Sequence, residues 1–256
     1  MFRIFFQVSY DGSQFFGWQR QTKFSPTVQE ILEDRLSKIF NQKVRVIGSG
    51  RTDRGAHALA QWAHADVPKD PTNLNLTYRL NQMTPDQLRI NAVYLAPPNL
   101  HAQRSARQKK YIYKVYNAAY PDPLRLHYYH HVKKPLDVEL LNKLASYVVG
   151  KHDFSSFQST GTDVESPVRT IFKAYWVQKG PVLTFHVVGD GFLKQMVRNI
   201  VGTMLWCSRH GQAEETFLKI LQAKDRRQAK EPAPPHGLFL KWVKYPPELD
   251  NKCRKL

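Results

Sequence analysis

Cysteine is nearly missing from this chain. Its 256 residues hold two, Cys207 and Cys253, far apart and without the spacing of a metal site. The cysteines argue against a disulfide framework and a cysteine-ligated zinc site, and a reducing cytoplasm fits. No apolar run approaches the ~20 residues that span a bilayer as a helix, so membrane attachment lacks support. The opening MFRIFFQVSYDG alternates like a strand and lacks the long apolar core and small-residue cleavage site of a signal peptide. Nor is there a nucleotide-binding loop. Acid is scarce: 21 Asp and Glu stand against 38 Lys and Arg, a net charge of +17. A field of that size on a chain this small favours a polyanion, nucleic acid first and an anionic membrane surface second. Hydrophobic residues make up 42%, enough for a real core. The length allows one large domain or two of about 110–140 residues.

What is present centres on GSGRTDRGAH, residues 48–57. Gly48, Gly50 and Gly55 surround one carboxylate, Asp53, with Arg51 and Arg54 beside it. Val44, Val46 and Ile47 read as the end of a strand, so Asp53 is expected on a tight loop leaving a sheet. Flanking cations keep a carboxylate ionised. A loop-held, ionised Asp is a candidate nucleophile if it is partly shielded from water. The same pattern serves Asx-turns and helix N-caps, and the loop alone leaves both readings open. Asp53 with His57 and His64 makes a conceivable metal set, but the spacing fits no standard motif.

Along the chain, Phe2, Ile4, Phe6, Val8 and Tyr10 give a first strand one apolar face. The loop at 11–21 carries Phe15, Phe16 and Trp18 among glycines, amides and Arg20. It either stacks on bases or folds its rings back onto the core. Thr27 and Glu30 form a capping-box pair opening a helix to about Asn41. Strands are expected at 43–47, 61–66 and 87–96, with a short helix at 72–83 between the last two. Pro97 and Pro98 mark a boundary. The run 101–117 is rich in Arg and Lys and leads into a strand on which Tyr111, Tyr113 and Val115 share a face. That suits a phosphate track ending at a ring platform, although a basic run alone is an ordinary solvated surface.

In the second half, 121–135 is a connector rich in proline, histidine and aromatic residues. A helix stops near Gly150, and 150–157 is a turn with two anchoring phenylalanines. Residues 158–168 are polar and loop-like. Strands follow at 170–178 and 182–188, with a turn at 180–182. The stretch 191–206 is the most apolar helix, yet Arg198 lies inside it. A buried cation is costly unless paired, so the chain needs a carboxylate facing Arg198. Asp53 and Asp190 are the candidates. A helix at 213–223, a basic segment at 224–230 and a last strand at 238–243 complete the chain.

Six motifs, in order, carry a resemblance: YDGSQFFGWQRQ (10–21), GRTDRGAHA (50–58), HAQRSARQKKYIY (101–113), GKHDFSSF (150–157), MVRNIVG (196–202) and GLFL (237–240). Together they resemble the tRNA pseudouridine synthase A family over nearly the whole length. The resemblance implies an isomerase that turns uridine into pseudouridine at positions 38, 39 and 40 of the tRNA anticodon stem-loop. It also implies a homodimer in the cytoplasm with no metal or organic cofactor. The implied fold is α+β: two α/β subdomains, 1–105 and 106–256. Their mainly antiparallel sheets join into one extended central sheet, with helices on the outer faces and the active cleft between the subdomains. Asp53 matches the family's catalytic aspartate and Tyr111 the tyrosine that stacks on the target uracil. Arg198 matches the arginine that ion-pairs with the aspartate, Leu238 an aliphatic residue against the ring, and Arg51 an arginine linked to base extrusion. Arg54 departs from the family, standing where many members have a small residue. A non-catalytic RNA-binding protein shares the charge and the aromatics but has no need of Asp53, Arg198 and Tyr111 together. A metal nuclease would cleave RNA and stop with chelator.

Overall fold

A computed structural model describes residues 1–161, 165–210 and 213–256. The class is α+β, with eleven strands and six α-helices among the described residues. The chain divides into two compact units, Met1–Gln108 with Leu240–Leu256, and Lys109–Phe239. The sequence assigns all of 106–256 to a second subdomain; in the structure the last seventeen residues cluster with the first.

The first unit begins with β1 (Phe2–Tyr10), α1 (Val28–Phe40), β2 (Val46–Gly48), β3 (His57–Val67), α2 (Leu76–Met83) and β4 (Leu88–Ala96). β1 lies between β3 and β4, antiparallel to both, and β2 pairs antiparallel with β3. The sequence predicts one apolar face for β1. That face is buried at Ile4, Phe6, Val8 and Tyr10, while on the other face only Phe5 is fully enclosed and Arg3, Gln7 and Ser9 stay half-buried. Phe5 stacks on Trp62 at 4.4 Å and meets Tyr245 edge-on at 4.9 Å. α1 starts as its sequence predicts. Thr27 Oγ1 accepts the Glu30 amide and Glu30 Oε2 accepts the Thr27 amide, each at 3.3 Å. It ends at Asn41, which takes the left-handed conformation.

The second unit holds β5 (Gln108–Asn117, entering from the boundary), β6 (His130–Val132), α3 (Val138–Ser146), β7 (Gly150–Asp153), β8 (Val168–Lys179), β9 (Val182–Gly189), α4 (Met196–Cys207) and α5 (Ala213–Ala223). Its strands run in the order β5, β9, β8, β7, all antiparallel, and β6 pairs parallel to β5. Leu183, Phe185 and Val187 share a fully buried face, as their alternation predicts. α3 packs on β8, and α4 packs against α3 and α5. β10 (Leu238–Lys244) crosses the boundary, and α6 (Pro247–Asp250) and β11 (Arg254–Lys255) close the chain, with β11 pairing on β4.

Three stretches differ from the sequence reading. Residues 150–157 form β7 and a 3-10 turn, although Phe154 and Phe157 are the expected buried anchors. α4 starts at Met196 because Gln195 adopts φ 58°, a left-handed conformation that does not continue a helix. Of the polar loop expected at 158–168, residues 162–164 lie outside the described residues. Its start is tied down by Ser159 N–H to the Lys194 carbonyl (3.1 Å) and Lys194 Nζ to the Thr160 carbonyl (2.7 Å).

Candidate active site

Asp53 lies on the loop between β2 and β3, and the backbone on both sides of it is fixed. On the β2 side the Ser49 amide donates to the Trp62 carbonyl at 2.7 Å. Buried Gln61 accepts from the Ser49 hydroxyl and donates through Nε2 to the Gly50 carbonyl at 2.8 Å. Next to Asp53, the Thr52 hydroxyl bonds the Tyr10 hydroxyl at 2.8 Å, and the Thr52 carbonyl accepts the Trp18 amide at 3.1 Å. Burial pushes Tyr10 up to about 12, so this phenol keeps its proton. Beyond Asp53, its own carbonyl accepts the Ala56 amide at 3.1 Å and closes a tight turn. Gly17 makes the close approach possible: it has φ +87°, and a Cβ there would sit 2.8 Å from the Thr52 carbonyl oxygen. Asp53 itself is half-buried, and Arg51 and Arg54 are exposed.

The aromatic loop at 11–21 resolves largely toward the core. Phe15 and Trp18 are buried, and both pack on Tyr10. Phe16 stays half-buried, stacked on exposed Phe24 at 5.4 Å, with the Arg54 guanidinium 4.2 Å above its ring. Of the three rings on this loop, only Phe16 stays partly exposed. Of the two histidines weighed as metal ligands, His57 accepts the Gly12 amide through Nδ1 at 3.0 Å and His64 accepts the Ala102 amide through Nδ1 at 3.1 Å. Those nitrogens serve the backbone. Among the described residues no group of three or more His, Cys, Asp or Glu is placed to hold a metal.

Tyr111, Arg198 and Leu238 belong to the second unit. Tyr111 pairs with Val187 in the β5–β9 ladder, is buried, and meets Phe192 edge-on at 5.0 Å. Two residues earlier on β5, Lys109 is held down at about 8 by burial, reinforced by the neighbouring Arg169 charge. The sequence counts Lys109 only as part of a basic run. Arg198, in the first turn of α4, is buried and donates through Nε to the Ala233 carbonyl at 2.7 Å. The Ala233 amide returns a bond to the Arg198 carbonyl at 2.9 Å. Asp190, one of the two acids considered for Arg198, instead accepts the Thr170 amide at 3.0 Å. Leu238 opens β10 just after a 3-10 turn at Pro235–Gly237 and is buried. The first unit carries Asp53 and Arg51. No helix among the described residues is long and apolar enough to cross a membrane.

The family model described as tRNA pseudouridine synthase matches residues 7–102 and 144–246. Asp53, Arg51, Arg198 and Leu238 fall inside those spans, and Tyr111 lies between them. The tRNA pseudouridine synthase A of Bdellovibrio bacteriovorus is 42% identical over 259 residues, covering 99% of each chain. That of Maridesulfovibrio salexigens is 43% identical over 250 residues, covering 96% of this chain and 91% of its own. The Bacillus licheniformis protein of the same name is 38% identical over 240 residues, covering 93% and 97%. Likeness of this extent, spread over both units, settles descent: the chain belongs to the tRNA pseudouridine synthase family.

Proposed function

We propose that this chain converts uridine to pseudouridine at positions 38, 39 and 40 of the tRNA anticodon stem-loop, with Asp53 as the nucleophile acting on a base swung out of the stack. Its family makes it an isomerase acting on tRNA. The proposal adds the positions and the residues. The reaction breaks the N1–C1′ bond with the electron pair leaving on uracil, turns the ring, and joins C5 to C1′. C5 loses a proton and N1 gains one, so nothing is oxidised or reduced. Asp53 adds either to C6 of the ring or to C1′ of the sugar. Extruding the base costs a few kcal/mol, offset by ring stacking and phosphate contacts. Tyr111 is assigned the stacking, Leu238 the apolar contact with the ring, Arg51 the extrusion, and Arg198 a charge at the substrate site. A homodimer working in the cytoplasm belongs to the same reading.

The observation that supports it best is local. Asp53 is a half-buried carboxylate on a loop whose neighbours on both sides are hydrogen-bonded in place. A nucleophile gains from being held where its substrate arrives, because ordering has already been met in folding. The test is Asp53→Asn, incubated with unmodified tRNA and no added cofactor, followed by mapping of pseudouridine. Turnover is expected to fall at least about 10⁴-fold, with tRNA affinity kept within about threefold. Substantial product from the pure variant would refute the role of Asp53, and product at other uridines would refute the positions.

A further inference from the structure

The apolar helix α4 is interrupted by Arg198, Asn199, Gly202 and Thr203, residues spaced to line one side of a helix. All four meet one stretch of chain, directly or through one intermediate. The Thr203 hydroxyl accepts the Lys230 amide at 3.2 Å. Gly202 leaves room for the Glu231 carbonyl, whose oxygen would lie 2.0 Å from a Cβ at that position. Arg198 grips Ala233 twice, by its backbone carbonyl and by its side-chain Nε. Asn199 accepts from Arg226, which in turn donates to the Ala229 and Lys230 carbonyls. From β5 the Tyr113 hydroxyl donates to the Pro234 carbonyl at 2.8 Å. The tyrosine ring then packs on Gly237, where a Cβ would lie 2.8 Å from Cζ. Leu238 follows immediately.

We propose that Lys230–Gly237 is a strap that sets Arg198 and Leu238 as one rigid piece, and that Tyr113 and Thr203 are positioning residues for the reaction. This rests on the assignment of Arg198 and Leu238 to the substrate site. A guanidinium on a long side chain has many rotamers. One charge-assisted bond from Nε to a fixed carbonyl selects among them and leaves the terminal nitrogens aimed in one direction. That carbonyl is fixed in turn because its peptide neighbour Pro234 is held by Tyr113 and the start of the strap by Thr203. Tyr113 is fully buried, and burial pushes its hydroxyl well above the usual tyrosine range. It remains a donor throughout the working pH range and takes no part in proton transfer.

The test measures kcat and KM separately on unmodified tRNA for Tyr113→Phe, Thr203→Val, Arg198→Lys and the double variant Tyr113→Phe/Arg198→Lys, with a thermal melt of each. Tyr113→Phe is expected to lower kcat about tenfold with KM within twofold, while the protein stays folded at the assay temperature. Thr203→Val, at the far end of the strap, shifts kcat the same way by about threefold. In the double variant the losses fall well short of multiplying, because both lesions act through Arg198 and only the share of Tyr113 that reaches Leu238 is left to add. Wild-type kcat in Tyr113→Phe, or losses that multiply in the double variant, overturns the positioning role while Arg198 keeps its place. Wild-type kcat in Arg198→Lys instead removes Arg198 from the site, and the role of the strap with it.

Discussion

The imidazole of His64 accepts the Ala102 amide through the nitrogen that protonation would occupy. Burial, reinforced by Arg3, holds this histidine down at about 4. His130 is also held at about 4 by burial, and burial lowers His101 and His236. In the unfolded chain each titrates near 6.5. As pH falls below about 6.5 the unfolded chain takes up protons that the folded one refuses, so stability falls with pH, and for His64 and His130 it does so until they titrate near 4. A melting series from pH 7 to 5 is expected to show a steadily falling Tm. His64→Gln keeps an acceptor for the Ala102 amide and is expected to flatten part of that slope. A Tm that is constant or rises toward pH 5 contradicts the neutral, buried histidines. At this scale the sequence shows what is chemically unusual for its surroundings. Asp53 stands out among glycines and Arg198 in an apolar helix. The Ala233 and Pro234 carbonyls that organise Arg198 and Tyr113 leave no trace, since every residue has a carbonyl and only folding decides which are used.

Elements were legible in proportion to their length. α1 is announced by Thr27 and Glu30, and both reciprocal bonds of the box are formed. Thr27 is fully buried as well. Thr27→Ala removes one acceptor for an otherwise unpaired helix amide and is expected to cost about 1 kcal/mol, which lowers Tm by roughly 2–4 °C in a chain of this size. Thermal melts of the two proteins check it; an unchanged Tm means the box contributes nothing. β9 is equally clear because its alternation persists over several residues. β2, β6, β7 and β11 have two to four residues each, too few to show a period. Their existence depends on a partner strand far away in sequence, as when β6 lies parallel to β5. The start of α4 departs from its sequence pattern for a related reason. Residues 191–195 look helical by composition, but Lys194 and Ser159 bind across a long sequence gap and Gln195 turns left-handed.

Charge is the property of the whole molecule that was plainest in the sequence and has the most direct consequence in solution. Cations outnumber acids in each of the two units, within a total of +17. Some of those cations are already satisfied. Arg3 pairs with Asp66 at 2.7 Å, and Lys143 with Glu214 at 2.7 Å. Most of the excess has no acid available to neutralise it, because the chain holds 38 cations and 21 acids. On a tRNA-acting enzyme that surplus meets phosphates, and each phosphate neutralised releases bound counterions into solution. Binding is therefore expected to weaken steeply with salt. Six or so phosphate contacts correspond to a loss of about 10³-fold in affinity between roughly 50 and 200 mM monovalent salt. The measurement is best made with Asp53→Asn, so that binding is read without turnover, and repeated in an uncharged osmolyte to separate ionic from general solvent effects. A change below about threefold across that range would mean that the surplus faces away from the RNA and that recognition rests on stacking and hydrogen bonds instead.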